Sequence, residues 1–183
     1  MTKVLIAAVL ALVLPASARA DVLLTPYAGV NFGGGTVDKR VNAGASLAWI
    51  GARGLGVEVD VGFIPDFFEP KDTTIDYPAN HVTTLMGNVV LARWIGGVQP
   101  FLVAGAGLMR SNVASFGDFF DDVTTENSLG VNAGGGVRIG GGRFSVRGDV
   151  RYFRALSDVD IALQDVLADF GFWRATGGLT IRF

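Results

Sequence analysis

"VEVDVGF", residues 57–63, puts Val57, Val59, Val61 and Phe63 on one side of an extended chain and Glu58 and Asp60 on the other. Successive side chains of a strand point to opposite faces, so one face is hydrocarbon and the other carries two carboxylates. A strand buried on both faces would desolvate those charges at high cost. Two settings remain: an apolar face turned inward with the charges in water, or an apolar face against lipid with the charges enclosed. The rest of the chain decides between them.

Period two dominates past residue 21. Eight runs show it: 22–33, 41–50, 55–64, 81–93, 99–110, 127–139, 143–154 and 170–183. The second run sets Val41, Ala43, Ala45, Leu47 and Trp49 against Asn42, Gly44, Ser46 and Ala48. The sixth sets Leu129, Val131, Ala133, Val137 and Ile139 against Asn132, Gly134, Gly136 and Arg138. Alternation over this length predicts strands with two unlike faces. The gaps alternate as well: 34–40, 65–80, 111–126 and 155–169 are long, while 51–54, 94–98 and 140–142 are short and glycine-bearing. An even number of strands with long and short connections in turn is the layout of bacterial outer-membrane barrels. About ten residues per strand suffice to cross a bilayer at a tilt. The expected fold is all-β: an eight-stranded antiparallel up-and-down transmembrane β-barrel.

Aromatic residues then choose the inside-out setting. With the first strand rising from the periplasm, Trp49, Phe144 and Phe183 lie outward at the periplasmic rim, and Phe32, Phe63, Tyr152 and Trp173 lie outward at the opposite rim. Two such girdles mark the membrane interfaces; a soluble barrel with its apolar face inward leaves them without a purpose. The same phase encloses Glu58, Asp60, Arg138, Arg147, Asp149, Arg151 and Arg174 in the lumen. One arginine facing the bilayer midplane would cost roughly 2–4 kcal/mol, whereas inside it can pair with a carboxylate. An ion gate or a catalytic pair could use such residues. An eight-stranded barrel, however, is only wide enough for side chains to fill, and that favours a plug of paired charges.

Residues 1–20 read as a cleaved secretory signal: Lys3 opens it, Val4 to Leu14 form its apolar run, and Ala18-Arg19-Ala20 ends it. The run is shorter than the roughly 18 residues a membrane-spanning helix needs. Without these 20 residues, 163 remain, with 17 acids against 13 bases and all 26 glycines. That balance excludes nucleic acid as an expected partner. The length suits one domain, expected over 21–183. The chain has no cysteine, hence no disulfide and no lipid-modified cysteine.

"TPYAGVNFGGG" resembles the first strand of OmpA-type and OmpX-type small barrels. "QPFLVAGAGL", "LGVNAGGGVRI" and "VRGDVRYF" resemble the glycine-rich fifth, sixth and seventh strands of the outer-membrane β-barrel domain family, and "TGGLTIRF" its closing strand. The resemblance covers the chain from residue 21 onward. It implies that Leu179, Ile181 and Phe183 are the signal read by the barrel assembly machinery, and that outer-membrane lipid and lipopolysaccharide surround the protein. The peptidoglycan-binding domain of full-length OmpA proteins has no counterpart after the eighth run, so anchoring to the wall by that route is not expected.

Candidate chemistry is sparse. His81 is the only histidine, in "NHVTT". Lipid A deacylases are small outer-membrane barrels that use a His, a Ser and a Glu, but here "HVT" offers Thr83 in place of serine and no nearby carboxylate. One histidine and no cysteine make a transition-metal site unexpected. "FGDFFDDVTTE", residues 116–126, gathers Asp118, Asp121, Asp122 and Glu126; carboxylates are what calcium prefers, but the spacing is not that of a calcium loop. "DVDIALQDVLADFGF", 158–172, has the spacing of a short helix capping the barrel mouth. The triple glycines at 33–35, 134–136 and 140–142 lack the Lys-Ser/Thr of a phosphate loop and suit turns and close strand packing. The expected function is a structural or surface-interaction role in the envelope, with no enzyme activity, cofactor or metal. Extracellular ligands would be met through loops 65–80, 111–126 and 155–169. The alternatives are a narrow OmpW-like channel for small solutes and, behind it, a lipid-modifying enzyme.

Overall fold

The computed structural model describes residues 21–34, 39–65, 81–113, 124–156 and 171–183. Eight strands run in chain order: β1 Asp21–Phe32, β2 Arg40–Ile50, β3 Leu55–Pro65, β4 His81–Ala92, β5 Val98–Val113, β6 Thr124–Gly141, β7 Phe144–Leu156 and β8 Gly171–Arg182. Each pairs antiparallel with its neighbours in sequence, and β1 pairs with β8 to close the barrel. Closure leaves no free edge, so each strand pairs its backbone polar groups with two neighbours within the protein, as a bilayer requires, apart from one gap in the closing seam. The signal segment and the capping helix expected at 158–170 lie outside the described residues, while Gly171 and Phe172 belong to β8.

Short turns occupy one end. Gly54, Gly96 and Gly142 have φ of 82°, 63° and 73°, a left-handed conformation that glycine adopts without penalty. The first turn is tied by Gly51 N–H donating to Leu55 O at 2.9 Å. Both described termini lie at this end: Phe183 N–H donates to Val22 O at 2.9 Å, and Asp21 and Arg182 pair at 3.4 Å.

The closing seam has one gap. Leu24 pairs with Ile181 and Tyr27 with Gly178, but Thr25 and Pro26 have no ladder partner on β8. Proline has no N–H to donate. Inside the barrel the Thr25 and Thr180 hydroxyls bond each other at 2.8 Å and bridge the gap.

The hairpin of β5 and β6 is longer than alternation alone suggests. Ser111 pairs with Glu126, Asn112 with Thr125 and Val113 with Thr124, so both ends of the expected loop 111–126 are strand. Val, Thr and other β-branched residue types favour strands, and antiparallel pairing carries on here to Val113 and Thr124. Likewise Pro65 closes β3, and Ala155 and Leu156 extend β7.

The wall is inside out. Val59, Val61, Phe63, Leu85, Val89, Leu102, Val146 and Val150 are exposed, while Glu58, Asp60, Arg151 and Arg174 are buried. The interior is nevertheless not uniformly polar. Leu23, Ala48, Ile50, Val90, Ala92, Phe101 and Val103 form an apolar cluster at the short-turn end. Ile64, Val82, Met86, Met109, Phe153 and Phe172 form a second towards the long-connection end. The charges lie between these two layers.

Candidate functional site: the lumen charge network

The network rests on β3, β7 and β8. Glu58 and Asp60 are two apart on β3 and Arg147, Asp149 and Arg151 are two apart on β7, so the pleat turns each set inward together. Glycines on β6 make the space. A Cβ on Gly134 would lie 2.7 Å from Arg151 Cα, and one on Gly136 would lie 2.5 Å from Asp149 Cβ. Two of the three glycines at 134–136 therefore admit the charged side chains of β7.

Glu58 takes Arg147 on one oxygen at 2.6 Å and Arg151 on the other at 2.9 Å. Asn88 on β4 donates to it at 3.2 Å. Asp149 lies between the same two arginines and accepts from the Nε of each at 2.9 Å. Asp60 pairs with Arg174 Nη2 at 2.8 Å and lies 3.8 Å from Arg151 Nη1. Every member is close to fully enclosed; Glu58 is 2 % exposed and Asp60 0 %. Buried pairs hold only where geometry and further hydrogen bonds offset desolvation; further hydrogen bonds support Arg147 and Arg174 here, while Asp60 Oδ2, Arg147 Nη2 and Arg174 Nε have no hydrogen-bond partner. Arg147 also donates to Ser46 at 3.2 Å, and Arg174 donates to the Tyr27 hydroxyl at 3.0 Å. The Arg147 guanidinium lies 4.5 Å from the Phe101 ring and that of Arg174 lies 4.6 Å from the Phe153 ring, so the apolar layers support the cations from both ends.

Arg138 stands apart. It faces Arg147 directly across the β6–β7 pair, bonds Gln99 and lies over Phe101, with no carboxylate partner among the described residues. Six of the seven expected lumen charges thus form one network, and the seventh is held by an amide and a ring. Sequence reasoning gave no role to Tyr27 and Asn88, nor to Asn132 although it placed that residue on the polar face, and these tie strands together through side-chain bonds; it also missed Arg40, which is buried at the start of β2. Their inward phase was the available signal. The run that contains Asn42 extends by one residue to Arg40.

The outward aromatics fall in two bands. Trp49, Phe144 and Phe183 are exposed at the short-turn end; Phe63, Tyr152 and Trp173 are exposed at the other, with Phe32 half-buried beside them. The Tyr152 and Trp173 rings lie 5.2 Å apart. His81 opens β4 outside the lumen, its ring 5.4 Å from Phe63. On the closing strand Leu179 and Phe183 are exposed and Ile181 is half-buried. Of the acidic stretch 116–126, Glu126 is a residue of β6, and Asp118, Asp121 and Asp122 lie outside the described residues.

The fold is shared with small barrels of known structure. The N-terminal barrel domain of Pseudomonas aeruginosa OprF is 15% identical, with a TM-score of 0.58, over 90% of this chain and 100% of that one. Neisserial surface protein A is 14% identical, with a TM-score of 0.65, over 91% and 100%. Ail, the attachment invasion locus protein of Yersinia pestis, is 14% identical, with a TM-score of 0.57, over 91% and 100%. At these identities the likeness is one of fold. No curated protein matches the sequence. The profile of the outer membrane protein beta-barrel domain matches residues 4–172. With its closed eight-stranded barrel and lipid-facing wall, the chain belongs to the outer membrane protein beta-barrel domain family.

Proposed function

We propose that this barrel is a structural or surface-interaction protein of the bacterial outer membrane whose lumen is closed to solutes. The reading rests on the layered interior: an apolar cluster at each end and, between them, an ion-pair network whose members are nearly all enclosed. A hydrated ion moving through would have to cross an apolar layer, part Arg147 and Arg151 from Glu58, and then cross the second apolar layer. Residues 1–20 act as a cleaved signal, and outward Leu179, Ile181 and Phe183 act as the assembly signal. The lipid-facing wall meets outer-membrane lipid, with lipopolysaccharide at the long-connection end, and the long connections offer the contact surface for partners outside the cell.

Planar-bilayer recording tests the closed lumen. The protein inserted in a bilayer should give no defined unitary current, and reproducible unitary steps would favour the narrow channel instead. Loss of an acyl chain from lipid A only in cells expressing the gene would replace this reading with a lipid-modifying enzyme.

A further inference from the structure

Among the described residues five arginines are buried in the lumen, Arg40, Arg138, Arg147, Arg151 and Arg174, against three carboxylates, Glu58, Asp60 and Asp149. The carboxylates are taken by Arg147, Arg151 and Arg174. Arg138 has Gln99 and the Phe101 ring. Arg40 has neither kind of support. No carboxylate among the described residues pairs with it, and its Nε and Nη2 have no hydrogen-bond partner although the residue is only 9 % exposed. A charge left buried without a partner is strongly unfavourable. The two orphaned nitrogens form one edge of the guanidinium, the edge that receives two oxygens of an anion side by side.

Its neighbours extend the site. Arg40 pairs directly with Asn31 on β1, and Asn31 pairs directly with Arg174 on β8. Side chains opposed in this way start roughly 4.5–5.5 Å apart at Cβ. Asn31 Nδ2 and Arg174 Nε also have no partner, and both side chains are enclosed. Asn42 orients the amide by donating to Asn31 Oδ1 at 3.0 Å, which leaves Asn42 Oδ1 as an acceptor. Unpartnered donor nitrogens from three adjacent strands thus share one end of the lumen, with Asn42 Oδ1 beside them and the Asp60 carboxylate held on the Nη2 side of Arg174. The site is inside the barrel wall, where lipid headgroups do not reach, and next to the long-connection end that faces the cell exterior.

We propose that Arg40, Asn31 and Arg174 form an oxyanion-binding site in the extracellular mouth of the lumen, taking a phosphate, sulfate or carboxylate group from the external medium. Arg40 supplies the two-point contact and the net charge. Asn31 and Arg174 supply further donors, and Asn42 Oδ1 can accept a hydrogen bond from the hydroxyl of monohydrogen phosphate. This site is independent of whether the lumen conducts.

The test uses the full chain purified in detergent, with thermal unfolding followed by heat-modifiable gel mobility in inorganic phosphate and in chloride at equal ionic strength. Phosphate should raise the unfolding midpoint in a saturable way, by roughly 2–4 °C. Arg40→Gln should still give the heat-modifiable barrel and lose this rise. Arg138→Gln removes a lumen arginine outside the site and should keep it. If Arg40→Gln fails to fold, Arg40→Lys keeps the charge without the two-point edge and should need a higher phosphate concentration for half the rise. A wild-type midpoint that phosphate leaves unmoved, or an Arg40 variant that responds like the wild type, overturns the site.

Discussion

Adjacent residues on β3 face opposite solvents, and single substitutions there read the two faces separately. Glu58→Ala would strip Arg147 and Arg151 of a shared carboxylate and leave both cations enclosed. Removing one partner of a buried pair typically costs about 3–5 kcal/mol, so urea unfolding in detergent should show a loss of that order. Val59 is 43 % exposed on the lipid face. Val59→Ala should leave the lumen intact and change stability by less than about 1 kcal/mol, since lipid takes the place of the removed methyls. Val59→Arg, near mid-height, should cost roughly 2–4 kcal/mol when unfolding is measured from bilayers. Equal effects of Glu58→Ala and Val59→Ala would mean that the two faces are not distinguished as described.

At the scale of elements, each strand is shaped to its neighbour. Tyr27 on β1 lies across Gly44 on β2, where a Cβ would come within 2.5 Å of its hydroxyl and 2.2 Å of Val61 O. That hydroxyl donates to Val61 O on β3 at 3.0 Å and receives Arg174 from β8, so one side chain joins four strands. β6 makes room for β7 in the same manner: a Cβ on Gly134 would lie 2.2 Å from Val150 O. Gly134→Val should therefore prevent the folded, heat-modifiable form from accumulating in the membrane, whereas Ala133→Val, on the exposed face of the same strand, should be tolerated. The second apolar layer depends on Phe153 of β7 stacked on Phe172 of β8, with centroids 5.1 Å apart. Phe153→Ala should destabilise the barrel by about 3–5 kcal/mol, as read by denaturant unfolding, and weaken the seating of Arg174 over that ring.

At the scale of the whole molecule, closure does more than remove edges. It brings Asp60 to Arg174 and Ser46 to Arg147, partners 114 and 101 residues apart in the chain. Opening the seam between β1 and β8 would release these contacts together, so the charge network and the barrel should unfold in one transition. Urea unfolding followed by tryptophan fluorescence and by gel mobility should give coincident curves, and a separate early loss of either signal would contradict this. The processed protein, isolated from outer membranes, should begin at Asp21, the first residue of β1. N-terminal sequencing checks it, and an intact Met1 end would overturn the proposed cleavage.

The sequence by itself determined the class of fold, the number and faces of the strands, and, among the described residues, every inward charge but Arg40. Lipid on one side forces strict alternation, so each residue reports its face locally, and "VEVDVGF" already contains the whole rule. Strand ends were less legible. β5 and β6 pair through Val113 and Thr124, where the sequence no longer alternates apolar with polar residues and register alone holds the chain. The inward apolar layers were hidden because Val82, Met86 and Val90 on β4 resemble the outward Leu85 and Val89, and a strand apolar on both faces carries no phase. Which arginine meets which carboxylate, why Arg138 settles for an amide and why Arg40 has no counter-charge among the described residues were decided only by the tertiary structure. Those matters depend on how eight strands align when the sheet closes, and alignment across a barrel is a relation between distant residues that no local pattern encodes.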